Sequence, residues 1–225
     1  MKRNIIRRVS WLLAVCATAS FAAGRGELKA NENYEVRVAL DTLFDAEGRV
    51  AELRPHLEAE HPAAFWDGLK KRVGNLKIAP PQDASGRPAT LRTGLYIRLE
   101  VTPGAQGGQV RIAGMDVGPL ILKEEYAGYP QDIAQSAGWT GVVDAECMVG
   151  PNGRCGEIKV KALPGMPQSV LRWATATLGL WEFQPPQING QPFAVPFHQG
   201  FSLNTTDDAP IEFRQRGSGN APFRW

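Results

Sequence analysis

The stretch Trp181–Pro192, WEFQPPQINGQP, decides the fold of this chain. An aromatic run enters two consecutive prolines, and a glycine turn then opens a further apolar run. Because proline cannot donate to a β-ladder, the Pro-Pro pair should end sheet pairing, and the turn should let pairing restart one strand later. A similar stretch, LKIAPPQDASGRP, occupies Leu76–Pro88. The recurrence predicts a repeated building block.

The chain matches itself when it is shifted by 105 residues. Residues 45–82 then align with 150–187 without a gap, and eight of the 38 positions are identical. Average composition would give roughly two or three identities by chance. The identical pairs are Gly48/Gly153, Arg49/Arg154, Glu52/Glu157, Pro62/Pro167, Gly74/Gly179, Pro80/Pro185, Pro81/Pro186 and Gln82/Gln187. We therefore distinguish a first segment, residues 34–101, and a second segment, residues 121–204.

Each segment predicts the same series of elements. Three kinds of shared residue mark the boundaries: a turn glycine before a strand, a proline where a helix begins, and a glycine in the left-handed conformation where it ends. These residues are Gly48 and Gly153, Pro62 and Pro167, and Gly74 and Gly179. Strands are predicted near 34–44, 49–54, 76–79 and 91–101, and near 141–149, 154–162, 180–184 and 193–204.

The fold class that follows is α+β, with two copies of a small antiparallel sheet packed against helices. In the second segment Val143, Ala145, Cys147 and Val149 alternate with polar residues, which predicts a strand with one buried face. The glycine-rich stretch 102–120 is predicted to be a linker. The tail 205–225 is polar and rich in helix and strand breakers, and we expect it to be flexible.

The N-terminus is predicted to be a signal peptide, residues 1–22. MKRNIIRR is a basic region, VSWLLAVCA is a short apolar core, and TASFAAG supplies small residues for cleavage after Ala22, or after Ala19. The apolar run is shorter than the roughly 20 residues of a spanning helix. A retained inner-membrane anchor is the alternative.

Export would change the charge and the compartment of the chain. The formal charge of +2 becomes −2 once four basic residues leave with the signal, namely Lys2, Arg3, Arg7 and Arg8. No basic patch then argues for a nucleic-acid partner. We expect a periplasmic protein in an oxidising environment, without a membrane span after cleavage.

Catalysis finds little support in the sequence. The three histidines, His56, His61 and His198, match no metal-binding spacing, and no nucleophile motif or phosphate loop is present. Glu52 and Glu157 recur between the segments, but each lies beside an arginine, so a local ion pair is the expected role. We expect no enzyme, no cofactor and no metal.

The second segment resembles the C-terminal domain of TonB proteins, the energy transducers of Gram-negative bacteria. The resemblance runs from about Tyr129 to Leu203. It begins with a YP lead-in and a turn ending in GWTG, continues through the hairpin VVDAECMVGPNGRCGEIKV and a helix, and closes with WEFQPPQINGQP. The residues that carry it are Tyr129, Pro130, Gly141, Gly153, Trp181, Phe183 and Pro185. The first segment keeps DAEGRVAEL and IAPPQDASGRP without the YP lead-in, and resembles a degenerate copy.

The resemblance implies a function in binding. Domains of this family bind the N-terminal box of an outer-membrane receptor by adding it as a strand to the sheet edge. The corresponding edge here is the last strand, Pro196–Leu203, and the candidate contact residues are Phe197, Gln199, Phe201 and Leu203. We therefore expect a protein or peptide partner, possibly a TonB-dependent outer-membrane receptor. The same edge could also form a homodimer.

Cys147 and Cys155 flank the GPNG turn of the hairpin. The family comparison places large apolar residues at both positions, which implies that both face the core. A disulfide is one interpretation for an exported chain with two remaining cysteines, and two buried thiols are the other. The hairpin register decides whether the Cα atoms come close enough.

Two other functions remain open at this point. The chain could be a membrane-anchored energy transducer with a retained N-terminal segment, although only twelve residues separate Gly24 from Val36, about 40 Å at full extension. It could also be a cell-wall glycan binder, since aromatic faces stack on sugars. Trp181 and Phe183 are expected to fill the core. Phe197 and Phe201 fit either role.

Overall fold

The computed structural model describes residues 34–56, 63–103, 109–134, 140–161 and 163–204. The predicted signal peptide 1–22, the tail 205–225, His61 and Pro62 lie outside these ranges. Eleven strands and three helices are found: β1 Tyr34–Phe44, β2 Val50–Pro55, α1 Ala63–Val73, β3 Leu91–Thr102, β4 Gln109–Gly118, β5 Leu120–Lys123, α2 Gln131–Ala134, β6 Thr140–Val149, β7 Cys155–Lys161, α3 Gln168–Leu180, β8 Glu182–Gln184, β9 Gln187–Ile188, β10 Gln191–Pro192 and β11 Val195–Asn204.

The strands form three sheets. The largest has the order β10-β9-β3-β1-β2, and β4 also pairs with β3. A three-stranded sheet has the order β11-β6-β7, and β5 pairs with β8 in a two-stranded sheet. The pairings β1–β2, β6–β7 and β11–β6 are antiparallel, and α3 packs on β6 and β7. The predicted α+β class is confirmed.

The described residues divide into two compact units. One comprises residues 34–38, 96–103 and 109–115, where Val38, Ile97 and Leu99 are buried. The other comprises the remaining described residues and contains α1, α2, α3 and the sheet β11-β6-β7. Strands β1, β3 and β4 contribute residues to both units.

The two segments share element order and sheet order. Adding 105 to the bounds of β1, β2, α1 and β3 reproduces those of β6, β7, α3 and β11 to within three residues. The sheet orders β3-β1-β2 and β11-β6-β7 correspond strand for strand. The last strand of each segment therefore pairs with the first strand and not with the second.

The turn glycines predicted from the repeat have the same geometry in both segments. Gly48 has φ +77° and Gly153 has φ +73°, the left-handed region that favours glycine. The carbonyl oxygen of each glycine also accepts a hydrogen bond from a backbone amide that follows the helix. Ile78 donates to Gly48 and Phe183 donates to Gly153, both at 2.9 Å. A Cβ atom would lie 2.3 Å from the Ile78 carbonyl oxygen or 2.2 Å from that of Phe183. Both positions therefore require glycine.

The helices follow their sequence patterns except at their C-terminal ends. Pro167 is the N-cap of α3 with an extended backbone, as its position in the repeat predicts. Trp66, Leu69 and Val73 of α1 are buried. In α3 Val170, Ala174 and Leu178 are buried. Helix α1 ends at Val73, directly before Gly74, as predicted, but α3 continues through Gly179 to Leu180. The predicted left-handed conformation is wrong at both positions, because neither glycine has a positive φ.

Two other predictions, one about the linker and one about the first segment, need correction. The predicted linker 102–120 contains strand β4, in which Val110 and Ile112 alternate with exposed Gln109 and Arg111, and which pairs with β3. The predicted strand 76–79 is reduced to one bridge, Arg49 with Lys77. Within the described ranges, no helix is long and apolar enough to cross a membrane.

Candidate partner-binding edge

Strand β11 is one edge of the three-stranded sheet. Its residues pair with β6 in a regular register from Val195 opposite Val149 to Asn204 opposite Thr140. No other strand of the described chain pairs with β11. One side of a ten-residue strand is therefore bonded along its whole length, and the other side is an open edge.

The predicted contact residues of β11 face the core. Phe197, Gln199, Phe201 and Leu203 are each at most 2% exposed. The rings of Phe197 and Phe201 contact Trp181, and Phe201 also contacts Trp173 with ring centroids 5.3 Å apart. None of the four side chains is available on the surface of the free protein. The glycan-binding alternative loses its basis, because it needs the faces of Phe197 and Phe201 in solvent.

Pro196 indicates which backbone groups of β11 face the open edge. Proline has no N–H, so within a sheet its nitrogen is directed away from the ladder partner. Because backbone direction alternates along a strand and this register has no bulge, His198, Gly200 and Ser202 have the same orientation as Pro196. Their N–H and C=O groups then point to the open edge, whereas those of the buried odd-numbered residues bond to β6. The aromatic pattern of β11 does not indicate these three residues, whereas Pro196 does.

Gln199 covers part of this open edge. Its side-chain Nε2 donates to the carbonyl oxygen of Gly200 at 2.7 Å, one of the groups assigned to the open side. Its Oε1 is buried and has no hydrogen-bond partner among the described residues. A buried amide with one unsatisfied atom costs free energy unless it is used elsewhere. Among the buried residues of β11, Gln199 is polar, whereas Phe197, Phe201 and Leu203 are apolar.

The outer face of this sheet carries charge next to the edge. His198 Nε2 lies 3.2 Å from Glu146 Oε1, and Lys161 Nζ lies 2.6 Å from the same oxygen. The ion pair and hydrogen bond with Lys161, with a smaller effect of His198, lower the pKa of Glu146. Glu146 therefore stays ionised at neutral pH.

The YP lead-in is fixed against α3. Tyr129 and Pro130 are buried, and Trp173 of α3 donates from Nε1 to the carbonyl oxygen of Ala127 at 3.0 Å. The hydroxyl of Thr177 accepts from the Ala127 amide at 3.2 Å. The Tyr129 hydroxyl is buried without a partner among the described residues. The lead-in thus supports the helix and the core behind β11.

The remaining motif residues are structural. Trp181 and Phe183 are buried in the core as expected, with ring centroids 6.2 Å apart, and Gly153 forms the hairpin turn. Gly141 lies opposite Leu203 at the end of β6. Pro185 is half-buried and follows β8, where it ends the pairing with β5.

Cys147 and Cys155 form a disulfide across the β6–β7 hairpin. The S–S distance is 2.01 Å and the Cα atoms are 5.5 Å apart. The two residues are not directly opposite, because Cys155 pairs with Val149, and a bulge follows near Glu157. Cys147 is buried, whereas Cys155 is only half-buried, so the expectation that both face the core holds for one of them.

The recurring carboxylates differ in their roles. Glu52 forms ion pairs with Arg54 at 3.0 Å and with Arg92 at 2.8 Å, so the predicted local ion pair is confirmed with different arginines. Glu157 has a positive φ of 52° and no ion pair among the described residues, so that part of the prediction is wrong. In the described ranges, no three His, Cys, Asp or Glu side chains cluster as a metal site requires.

Comparison with known proteins identifies the second segment. A family model described as Gram-negative bacterial TonB protein C-terminal matches residues 125–203. This range contains the YP lead-in, the β6–β7 hairpin, α3 and β11 as far as Leu203, and it does not reach the first segment. Comparisons with curated proteins and with solved structures found no significant match. Residues 125–203 of this chain therefore belong to the TonB C-terminal family.

Proposed function

We propose that this chain is an exported, non-enzymatic protein that binds an extended segment of a protein partner by strand addition at β11. The family match supports a TonB-like protein of envelope transport. The proposed partner is a segment of a TonB-dependent outer-membrane receptor, and the proposed compartment is the periplasm. The observation that carries the proposal is the open side of β11, ten residues long and free of bulges.

Backbone groups supply the affinity in this mechanism. An added strand forms hydrogen bonds with His198, Gly200 and Ser202, each contributing about 0.5–1.5 kcal/mol net. Pro196 lacks one donor and thus limits where a strand can start. Because the apolar inward-facing side chains of Phe197, Phe201 and Leu203 are buried, they stiffen the edge and make no contact with the partner.

Gln199 takes part in binding because its side chain gives up its hydrogen bond to the Gly200 carbonyl oxygen. The partner's N–H replaces Gln199 Nε2 at the Gly200 carbonyl oxygen, and the Gln199 amide becomes free to accept through Oε1 from the added strand. The exchange gives the buried Gln199 Oε1 the donor that it lacks in the free protein, and the displaced Nε2 can then donate to a carbonyl oxygen of the added strand. In the free protein the same bond discourages pairing of this edge with unrelated strands.

The test is calorimetric titration with synthetic peptides of the N-terminal boxes of outer-membrane receptors. Ser202→Pro removes one donor from the open side and leaves the bonds to β6 intact, so binding should weaken about two- to tenfold, as the loss of one such bond implies. Ser202→Ala is the matched control and should bind as the wild type does, since its backbone is unchanged. Thermal unfolding of both variants shows whether the fold is retained.

Modified peptides extend the test in case Ser202→Pro does not fold. Strand addition uses alternate peptide amides only. Two peptides should therefore be compared, one N-methylated at its odd-numbered amides and one at its even-numbered amides. One of these two methylation phases should abolish binding, and the other should leave it unchanged. Equal loss in both phases, or equal binding by Ser202→Pro and Ser202→Ala, would contradict strand addition at β11.

A further inference from the structure

The first segment contains an edge that corresponds to β11. Its last strand, β3, pairs with β1 as β11 pairs with β6, and the sheet orders of the segments correspond. A chain with two such segments could therefore offer two strand-accepting edges. The pairing on the other side of β3 decides whether it does.

That side of β3 is occupied by this chain itself. Strand β9 pairs antiparallel with the start of β3, with Leu91 opposite Ile188 and Arg92 opposite Gln187. Strand β4 also pairs with β3, and the Thr93 hydroxyl donates to the carbonyl oxygen of Gly118, the last residue of β4, at 2.8 Å. β11 has no such neighbour within the described residues.

The β9–β10 hairpin is fixed to the start of β3. Its turn residues Asn189 and Gly190 have φ values of +51° and +78°, as an Asn-Gly hairpin turn requires. Three hydrogen bonds join Asn189 and Thr90. The Asn189 backbone amide donates to the Thr90 carbonyl oxygen at 3.0 Å, and Asn189 Oδ1 accepts from the Thr90 amide at 3.0 Å and from the Thr90 hydroxyl at 3.4 Å. The Asn side chain thus supplies a contact that the turn alone would not give.

We infer that the chain accepts one partner strand and not two, because the hairpin Gln187–Pro192 and strand β4 fill the edge of the first segment. This inference rests on the proposed strand addition at β11 and adds its stoichiometry. The edge strand β3 of the first segment is then paired with strands of the same chain and cannot accept a partner strand. The Pro-Pro pair before the hairpin frees it from β8, so that it can pair with a different sheet.

Occupancy of the β3 edge is measured without a partner, by amide hydrogen exchange of the free protein. The amides of Thr90 and Asn189 should be protected, whereas those of Gly200 and Ser202 should exchange at least tenfold faster. Asn189→Gly retains the positive φ and removes only the side-chain acceptor, so Thr90 should lose protection in this variant. Equal exchange at Thr90, Asn189, Gly200 and Ser202 in the wild type would overturn the inference.

Stoichiometry is measured by titration of the full chain with the receptor-box peptides. One peptide should bind per chain, and in Ser202→Pro this single site should bind with weakened affinity. Two peptides per chain, one of them with an affinity that Ser202→Pro leaves unchanged, would overturn the closed edge while strand addition stands. If Thr90 and Asn189 are protected but no peptide binds, the closed edge stands and the proposed function fails.

Discussion

Substitution of Gly153 tests the turn geometry on which the second segment depends. In Gly153→Ala the new Cβ would lie 2.2 Å from the carbonyl oxygen of Phe183. The residue also has φ +73°, which costs an L side chain about 1–2 kcal/mol. The Phe183 backbone cannot move away without straining the 2.9 Å bond from its amide to the Gly153 carbonyl, worth about 1 kcal/mol.

The expected loss in the free energy of unfolding is about 3–6 kcal/mol, since overpacking adds about 1–3 kcal/mol to these costs. Gly165→Ala is the matched control. Gly165 has φ +79° with no atom within 4 Å of its Cβ position, so only the cost of the positive φ, about 1–2 kcal/mol, applies. Gly48→Ala should behave like Gly153→Ala, because its Cβ would lie 2.3 Å from the Ile78 oxygen.

Urea denaturation under non-reducing conditions measures all three variants. The midpoint should decrease much further for Gly153→Ala and Gly48→Ala than for Gly165→Ala, with similar slopes. Equal losses at Gly153 and Gly165 would refute the reasoning, because the contact with Phe183 would then contribute nothing.

Three further changes have defined outcomes. Reduction of the Cys147–Cys155 disulfide, which closes a separation of eight residues, should lower the free energy of unfolding by about 2.5 kcal/mol, measured by denaturation with and without reductant. Trp173→Phe removes the hydrogen bond to Ala127 and should cost about 1–2 kcal/mol by the same assay. Asp45→Asn should flatten the decline of stability below about pH 4. The Arg49 amide, with side-chain contacts to Arg49, lowers the pKa of Asp45, so its contribution is present at higher pH and is lost as the carboxylate protonates.

The sequence predicts local features of this fold best. The glycines at 48 and 153 and the alternation from Val143 to Val149 follow from local sterics and burial, and the structure confirms them. The end of α3 was missed because Gly179 is accommodated inside the helix, and Trp181 instead leaves it with an extended backbone. A glycine predicts a helix end only where packing does not continue the helix.

Long-range pairing could not be predicted from local pattern. Nothing in QINGQP specifies that Gln187 and Ile188 pair with Arg92 and Leu91, since the register depends on how distant strands meet. Strand β4 could not be predicted for a similar reason. Gly114 weakens the alternation of apolar and polar residues, and the strand depends on its pairing with β3.

The strand predicted from the sequence as a sheet edge does lie at the edge of its sheet, but the four side chains predicted as contacts face the core. The aromatic residues of β11 suggested a contact surface, yet Phe197 and Phe201 complete the core beside Trp181. The sequence pattern alone does not distinguish an aromatic that binds a partner from one that fills the core. Pro196 was the better signal, because its missing N–H indicates the direction of the backbone.

The central claim is that a partner strand adds to the open side of β11. The most direct measurement is residue-resolved amide exchange of the full chain with and without a saturating receptor-box peptide. We expect new protection at His198, Gly200 and Ser202, with Phe201 and Leu203 protected in both states by β6. Binding that leaves Gly200 and Ser202 unprotected, or that protects consecutive residues of another element instead, would contradict the claim.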